Sequence, residues 1–272
     1  MDKEKLTYLT EQARTIRNTT IEMIGTLGVG HIGGSMSIVE VLTAIYYETA
    51  NVDPKNPLDP NRDRVVLSKG HAGPALYATL AEKGYFDRDW IYTLNKPGTN
   101  LPSHVDRTKT PGIDMTAGSL GQGISAAVGM AVAAKMDKNP CDVYAIIGDG
   151  ESQEGQVWEA LMFAGSKKLD NLIVFIDSNK MQIDGMVEDI NGIESLDDKF
   201  NAFRFYTQRI DGHDITAIVD AINNAKAQHD KPSMIILDTI KGKGYPLGEG
   251  KVSCHSMNMK EDEWKAAIEA NK

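Results

Sequence analysis

Residues 148–155, Gly-Asp-Gly-Glu-Ser-Gln-Glu-Gly, place a carboxylate and open backbone N–H groups directly after the apolar run 143–147. A second apolar run, residues 172–176, is followed closely by Asn179. Both runs are predicted strands. Because the carboxyl ends of parallel strands meet at one edge of a sheet, where such folds bind ligands, we expect Asp149 and Asn179 to lie together. Oxygen ligands of this kind suit a hard divalent cation that bridges phosphates.

A glycine-rich stretch, residues 28–34, matches the spacing G-x-G-x-x-G but follows a helical pattern in residues 6–27. The dinucleotide-binding fingerprint requires a preceding strand. The spacing therefore favours a backbone bend that comes close to some other ligand. Residues 37–48 then predict a helix, capped by Ser37 with Glu40 three positions on.

Most of the histidines lie beside turns that contain glycine or proline. Four of the six are in such settings, namely His31, His71, His104 and His255. A surface or capping role is the default interpretation for one such residue, but four together favour a cluster at the strand-end rim. No H-x-x-x-H spacing supports metal ligation, and imidazoles that donate to hydroxyl or phosphate oxygens fit better. His213 and His229 lie near predicted helix boundaries and are interpreted as structural or surface residues.

Strand-like runs alternate with helical patterns along the chain, which predicts an α/β fold with a mainly parallel sheet and helices on both faces. The chain has 272 residues, enough for one substantial core, and no repeat or linker divides it. Residues 1–272 are therefore predicted to form a single domain that ends in a helix at about 260–271. Small residues on all faces of 124–136 predict a helix enclosed by close neighbours.

Composition excludes several classes of function. A net charge of −9 and a pI near 5.2 argue against a nucleic-acid partner or an acidic membrane surface. The sequence contains neither a signal-peptide pattern nor an apolar stretch long enough to span a membrane. Cys141 and Cys254 form neither a disulfide framework nor a zinc pattern. We expect a cytoplasmic protein.

Several segments in fixed order resemble one family. GHIGG, SKGH, LPSH, TAGSLGQGI, GDGESQEGQVWEA and DSNKMQIDG together are similar to the diphosphate-binding half of transketolases, and the resemblance runs from about residue 10 to 256. It implies the thiamine-diphosphate-binding fold. Two positions depart from the full-length family: Ser119 replaces a usual proline, and Lys69 a usual asparagine.

The resemblance also implies a set of cofactor ligands. Asp149, Asn179 and the carbonyl of Met181 would bind Mg²⁺, with Ca²⁺ or Mn²⁺ as substitutes. The two phosphates of thiamine diphosphate and a water would complete the octahedron that magnesium prefers. Gly150 would donate its backbone N–H to the diphosphate.

The remaining site residues implied by the resemblance surround the cofactor's rings and the substrate. The ring contacts would come from Gly118, Ser119, Leu120 and Ile183. His71 and His255 would lie by the diphosphate or the reacting centre, and His31 and His104 by hydroxyl groups of the ketose donor. Glu154 is similar to a residue that couples the cofactor sites across the dimer interface.

Full-length transketolases continue into a pyrimidine-binding domain, whose glutamate activates the cofactor, and a third domain. With 272 residues, this chain is expected to need a separate C-terminal transketolase subunit, in an α₂β₂ assembly, and to be inactive alone. The implied reaction transfers a two-carbon ketol unit from a ketose or ketose phosphate to an aldose, as in the pentose phosphate pathway. The sugars themselves, including sulfo- or branched sugars, are left open.

Three alternatives remain open on the sequence. The alpha subunit of a 2-oxoacid dehydrogenase also has the GDG…N pair, although its substrates lack vicinal hydroxyls that four histidines would bind. A deoxyxylulose-phosphate synthase resembles residues 241–245 but has its domains in one longer chain. A non-catalytic protein that binds thiamine diphosphate or a sugar phosphate would not need the complete set of ligands and histidines.

Overall fold

The computed structural model describes residues 1–271. The strands are β1 (Val29–Gly30), β2 (Arg64–Leu67), β3 (Val143–Gly148), β4 (Leu172–Ser178), β5 (Met181–Gln182), β6 (Gly185–Met186), β7 (Tyr206–Asp211), β8 (Ser233–Asp238) and β9 (Met257–Asn258). The α-helices are α1 (Lys3–Leu27), α2 (Ile32–Met36), α3 (Val39–Ala44), α4 (Gly73–Lys83), α5 (Gln122–Met136), α6 (Gly155–Ser166), α7 (Val187–Asn191), α8 (Leu196–Ala202), α9 (Ile215–Lys226) and α10 (Glu261–Ala270).

The central sheet is parallel, with the strand order β2-β3-β4-β8-β7. Gly148 at the end of β3 pairs with Asp177, and Ser178 at the end of β4 pairs with Asp238. The turns that follow these strands therefore meet at one edge of the sheet, as the sequence predicted for Asp149 and Asn179.

Alternate residues of each central strand pack on opposite faces of the sheet. In β4, Ile173 and Phe175 belong to a core shared with α1, α3, α4 and α9. Val174 and Ile176 belong to a second core shared with α5, α6 and α8. A strand apolar on both faces is what a sheet covered by helices on both sides requires. The predicted fold class is confirmed.

The helix predicted for residues 37–48 is confirmed only in part. Residues 37 and 38 form a turn after α2, helix α3 begins at Val39, and a π-helical turn at Ile45–Thr49 follows it. Ser37 is not an N-cap: its hydroxyl donates to Asp177 Oδ2 at 2.6 Å. A buried carboxylate far along the chain outcompetes the local capping geometry, which sequence spacing alone cannot show.

The expectation that neighbours enclose α5 on all sides is also wrong for the described chain. Gly129 and Ala133 are exposed, and Met136 is 77% exposed. On the adjacent α6, Met162 and Phe163 are 58% and 45% exposed. The two helices thus present an apolar surface to solvent, named here the α5–α6 face.

Two helical glycines make a matched test of packing. A Cβ on Gly165 would lie 1.9 Å from the Phe203 carbonyl oxygen, whereas one on Gly129 would meet no described atom within 4 Å. We expect Gly165→Ala to lower the free energy of unfolding by about 2–3 kcal/mol through overpacking. Gly129→Ala should raise it by about 0.5–1 kcal/mol, because alanine favours the helix. Urea denaturation measures both, and equal effects would contradict the packing described here.

Candidate active site

A cavity of about 370 Å³ opens at the carboxyl edge of the parallel sheet. Its walls come from the turns after β2, β3, β4 and β8, and from the segments around residues 31, 104, 118 and 255. The polar and titratable side chains among its lining residues are His31, Lys69, His71, His104, Asp149, Glu151, Gln153, Glu154, Asp177, Asn179, Gln182, Asp184, Lys241 and His255.

The four predicted histidines converge in this cavity. The His31 ring centroid lies 5.5 Å from that of His71, 5.6 Å from that of His104 and 5.4 Å from that of His255. The His71 and His255 centroids are 5.1 Å apart. All four rings are partly buried. Such a cluster offers several nitrogen donors and acceptors to one polyhydroxylated molecule.

Close backbone approach makes the cluster possible. A Cβ on Gly34 would lie 3.1 Å from His71 Nε2, so a side chain there would crowd the ring. A Cβ on Gly70 would lie 2.1 Å from the Ala117 carbonyl oxygen, which brings the turn of Gly118 against the turn of His71. Gly34 and Gly70 therefore allow close packing of the backbone around the cavity.

Three of these histidines, His31, His71 and His255, have lowered pKa values, which favour the neutral imidazole. Burial, followed by the neighbouring charges of His104 and Lys241, lowers the pKa of His31. Burial and the charge of Lys69 lower the pKa of His71 well below its ordinary value. Burial and Lys241 lower the pKa of His255 to about 4. A neutral imidazole both donates and accepts a hydrogen bond, which suits it to sugar hydroxyls.

The lowered pKa of His255 predicts an acid-sensitive contribution to the stability of the cofactor-free chain. Unfolded histidine titrates near pH 6.5, above the folded pKa of His255 at about 4. At this residue the unfolded state therefore binds more protons between these values, and the contribution of His255 to stability falls as pH drops from about 6.5 to about 4. The raised pKa of Asp149, about 7, acts in the opposite direction over the same range, so the effect of His255 is measured as a difference between wild type and a His255 variant. After allowance for solvent screening, we expect about 2 kcal/mol from His255.

Urea denaturation across this pH range measures the effect. Relative to wild type, His255→Gln should gain stability as pH drops through this range, whereas His229→Gln, at an exposed position, controls for the loss of a histidine elsewhere. An unchanged slope in His255→Gln would contradict the neutral state of this ring.

Asp149 is a buried carboxylate without a cationic side chain bonded to it in the described structure. Its Oδ1 accepts from the Gly150 N–H at 2.7 Å, and its Oδ2 accepts from the Lys180 N–H at 2.5 Å. Burial and the charge of Asp177 raise the pKa of Asp149 to about 7. A divalent cation would relieve both effects, so the residue fits a metal ligand.

Two further oxygens lie in the same turn. Asn179 donates through Nδ2 to Asp177 Oδ2 at 2.9 Å, and its Oδ1 accepts from the Met181 N–H at 3.1 Å. The Met181 carbonyl accepts from Lys241 Nζ at 2.9 Å. One carboxylate, one amide and one carbonyl oxygen form the mixed oxygen set that Mg²⁺ accepts. Within residues 1–271, no group of three His, Cys, Asp or Glu side chains is arranged to hold a metal.

Two buried lysines in the lining have no role in the sequence interpretation. Lys69 follows β2, is 1% exposed and forms an ion pair with Asp177 at 2.5 Å. Lys241 follows β8 and is 2% exposed. The distance between Lys241 Nζ and His255 Nδ1 is 3.2 Å. Burial lowers the pKa of Lys241. The available signal was their position, since each lysine lies in the turn just after a predicted strand.

Glu151 is a third buried group that the sequence interpretation missed. Its carboxylate accepts from Ser68 Oγ and from the backbone N–H groups of Gly121 and Gly148, at 2.9 and 3.0 Å for the two backbone donors. These bonds join the turns after β2 and β3 to the start of α5. Glu151 thereby holds the wall of the cavity together.

The other predicted residues are distributed around the cavity. Gly118, Leu120, Gly150 and Ile183 line it, and Glu154 lies exposed at its border. Leu120 and Ile183 are 37% and 64% exposed, which places apolar surface at the mouth. Ser119 is exposed in the same turn as Gly118 but is not among the described lining residues. Its cofactor contact stays a prediction.

The chain matches the family model for the transketolase thiamine-diphosphate-binding domain over residues 9–270. It is 60% identical over 260 residues to the 6-deoxy-6-sulfo-D-fructose transketolase subunit SqwG of Clostridium sp. (strain MSTE9), covering 96% of this chain and 94% of that protein. It is 38% identical over 272 residues to an apulose-4-phosphate transketolase subunit of Actinobacillus succinogenes, covering 99% of this chain and 98% of that one.

Among solved structures, transketolase from Campylobacter jejuni superimposes with a TM-score of 0.92 at 34% identity. The match covers all of this chain but 43% of the longer one. The fold and the family model thus define an α/β protein of the thiamine-diphosphate-binding class. The chain belongs to the transketolase family, as an N-terminal subunit.

No helix within residues 1–271 has the length and apolar character needed to cross a membrane.

Proposed function

We propose that this chain is the Mg²⁺- and diphosphate-binding subunit of a two-chain transketolase, which moves a two-carbon ketol unit from a ketose to an aldose. The observation that carries the proposal is the convergence of four histidine rings on one cavity that also contains the oxygens of Asp149, Asn179 and Met181. A metal-diphosphate site and a site for a polyhydroxylated substrate therefore share one opening.

Asp149, Asn179 and the Met181 carbonyl would hold Mg²⁺, and buried positive charge would hold the diphosphate. Lys241 is the side chain best placed for this, because its Nζ lies between the Met181 carbonyl and His255. The Gly150 N–H donates to Asp149, and in the loaded protein it would be shared with a phosphate oxygen. Hydrogen bonds to anionic phosphate oxygens are strongest when the donor is already buried away from water.

Gly118, Leu120 and Ile183 would contact the cofactor's rings at the mouth of the cavity, where the exposed apolar surface of Leu120 and Ile183 would be covered. Thiamine diphosphate supplies the carbanion chemistry that cleaves and forms the carbon–carbon bond. The chain's own contribution is to bind, to orient and to transfer protons. His31 and His104 would bind the donor's hydroxyls, and His71 and His255 would lie nearer the diphosphate.

The partner subunit would cover the α5–α6 face. Exposed apolar surface of this kind, flanked by polar residues, is typical of a protein interface. The Clostridium and Actinobacillus relatives are themselves subunits, and this chain spans about two fifths of a full transketolase, 43% in the Campylobacter jejuni case. We propose an α₂β₂ assembly in which Glu154, at the cavity border, couples the two cofactor sites.

The donor we propose is a 6-deoxy-6-sulfo-ketose. The relative named for 6-deoxy-6-sulfo-D-fructose is 60% identical to this chain, whereas the relative named for apulose 4-phosphate is 38% identical. A sulfonate resembles a phosphate in shape and negative charge, so the histidines described here need not differ between the two donors. The groups that distinguish the donor's anionic end would lie on the partner subunit.

Affinity capture followed by a donor assay tests the proposal. The tagged chain should retain a C-terminal transketolase chain, and the purified pair should transfer a ketol unit from 6-deoxy-6-sulfofructose to an aldose in the presence of Mg²⁺ and thiamine diphosphate. Xylulose 5-phosphate and pyruvate serve as comparison donors. Oxidative decarboxylation of pyruvate would indicate a 2-oxoacid dehydrogenase instead, and full ketol transfer by the chain alone would contradict the two-chain arrangement.

A further inference from the structure

Asp177 is a fully buried carboxylate that interacts with Asn179, two residues further on, and with three other chain segments. Its oxygens accept from Lys69 Nζ at 2.5 Å, Ser37 Oγ at 2.6 Å, Asn179 Nδ2 at 2.9 Å and the Thr239 hydroxyl. Its side chain has no solvent exposure. These five residues are named the Asp177 cluster. Burial raises the pKa of Asp177, but the charge of Lys69 and the hydrogen bonds from Lys69, Ser37 and Thr239 together outweigh it, so the net shift is downward.

Each segment of the cluster carries a residue of the cavity. Ser37 follows the short helix that begins directly after His31. Lys69 lies two residues before His71 and also donates to the Gly34 carbonyl at 2.8 Å. Thr239 lies two residues before Lys241, in the turn after β8. One carboxylate therefore connects the turns that carry His31, His71 and Lys241.

Within the Asp177 cluster, Asn179 has the most direct link to the proposed Mg²⁺ site, because it is one of the proposed ligands. Its amide nitrogen is bound to Asp177, so the amide can turn only if that bond breaks. The amide oxygen is thereby kept on the opposite side, toward the Met181 turn. An outer residue that orients a metal ligand typically changes metal affinity when it is lost.

Stability alone explains the cluster poorly. A buried ion pair such as Lys69–Asp177 often contributes little net free energy to folding, because the desolvation of both charges offsets their attraction. A role in positioning accounts for the convergence on one carboxylate of three turns that each carry a cavity residue.

Resting on the proposed function, we infer that Asp177 is a positioning residue, which orients the Asn179 amide oxygen toward Mg²⁺ and fixes the histidine turns around it. The residue acts through Asn179 and Lys69 rather than by touching the cofactor. Its loss should therefore weaken Mg²⁺ binding out of proportion to any loss of stability.

The test is a Mg²⁺ titration of the full chain at a fixed millimolar concentration of thiamine diphosphate, followed by the rise in unfolding temperature. This readout detects weak binding and requires no turnover. The double variant Lys69→Met/Asp177→Asn removes both charges and so leaves neither one buried alone. We expect about 100-fold weaker Mg²⁺ binding. Ser37→Ala keeps both charges and lies outside the described lining, and about tenfold is expected.

The matched control is another buried ion pair, Arg62–Asp114, whose side chains are 14% and 5% exposed and lie away from the cavity. Arg62→Met/Asp114→Asn should lose comparable stability yet bind Mg²⁺ within about twofold of wild type. If the Asp177 double variant does not fold, Ser37→Ala decides. Mg²⁺ binding by Ser37→Ala within twofold of wild type would overturn the inference, as would an equal loss in the control. A wild-type chain without any Mg²⁺-dependent shift would instead refute the proposed function, and the inference with it.

Discussion

Asp149→Asn is expected to abolish the stabilisation of the chain by Mg²⁺ and thiamine diphosphate while leaving the cofactor-free fold intact. The carboxylate is 3% exposed, and burial together with Asp177 raises its pKa to about 7. A neutral amide of the same shape avoids that electrostatic cost, which offsets the loss of one of the two backbone N–H bonds that the carboxylate accepts. The amide lacks the charge that Mg²⁺ requires. We expect at least about 100-fold weaker Mg²⁺ binding, in the upper part of the range seen when a metal site is disturbed.

Calorimetry measures the loss of Mg²⁺ binding, and urea denaturation without cofactor measures the stability of the cofactor-free fold. Asp184→Asn is the control, because this residue also lines the cavity and is acidic but follows β5 in an exposed turn. It should bind Mg²⁺ almost as wild type does. If Asp149→Asn retains wild-type affinity, the metal is held elsewhere. If the variant unfolds without cofactor, the carboxylate is a structural rather than a ligand group.

The parts of the site that depend on local sequence were predictable. Asp149 and Asn179 were placed at one sheet edge because each follows an apolar strand, and the parallel order of β3 and β4 brings them together. The four turn histidines were predicted to converge, and the ring centroids of the other three lie within 5.6 Å of the His31 centroid. Turn composition and strand ends are local features, so they can be predicted from a single sequence.

The parts that depend on distant partners were not predictable. Ser37 has the pattern of a helix cap, yet its hydroxyl bonds a carboxylate 140 residues away. Lys69 and Asp177 are 108 residues apart, and separately they resemble an ordinary turn lysine and an ordinary strand-end acid. The small residues of α5 predicted close neighbours on all sides, but the described chain leaves one side of that helix exposed. Pairing across such separations is decided by tertiary packing, which propensity and spacing do not encode.

His31→Asn and His104→Asn are expected to lower kcat/KM for the ketose donor by about 100-fold or more while Mg²⁺ and thiamine diphosphate still stabilise the protein. Loss of a positioned proton donor or acceptor typically has this size. The two rings are 5.6 Å apart, and neither residue bonds to Asp149, Asn179 or Lys241 through a described hydrogen bond. Their role should therefore concern the substrate and not the cofactor.

Steady-state kinetics of the complex with the partner chain, combined with cofactor titrations, separates these roles. His255→Asn should weaken cofactor binding as well, because Lys241 contacts this ring at 3.2 Å. His213→Asn is the structural control: its ring is bonded to Glu40 at 3.1 Å and to the Ile240 N–H at 2.9 Å, outside the cavity. It should lower the unfolding temperature with little change in kcat/KM. Equal losses of cofactor affinity in His31→Asn and His255→Asn would mean that the cluster acts as one diphosphate-binding unit, and would contradict a separate substrate role for His31.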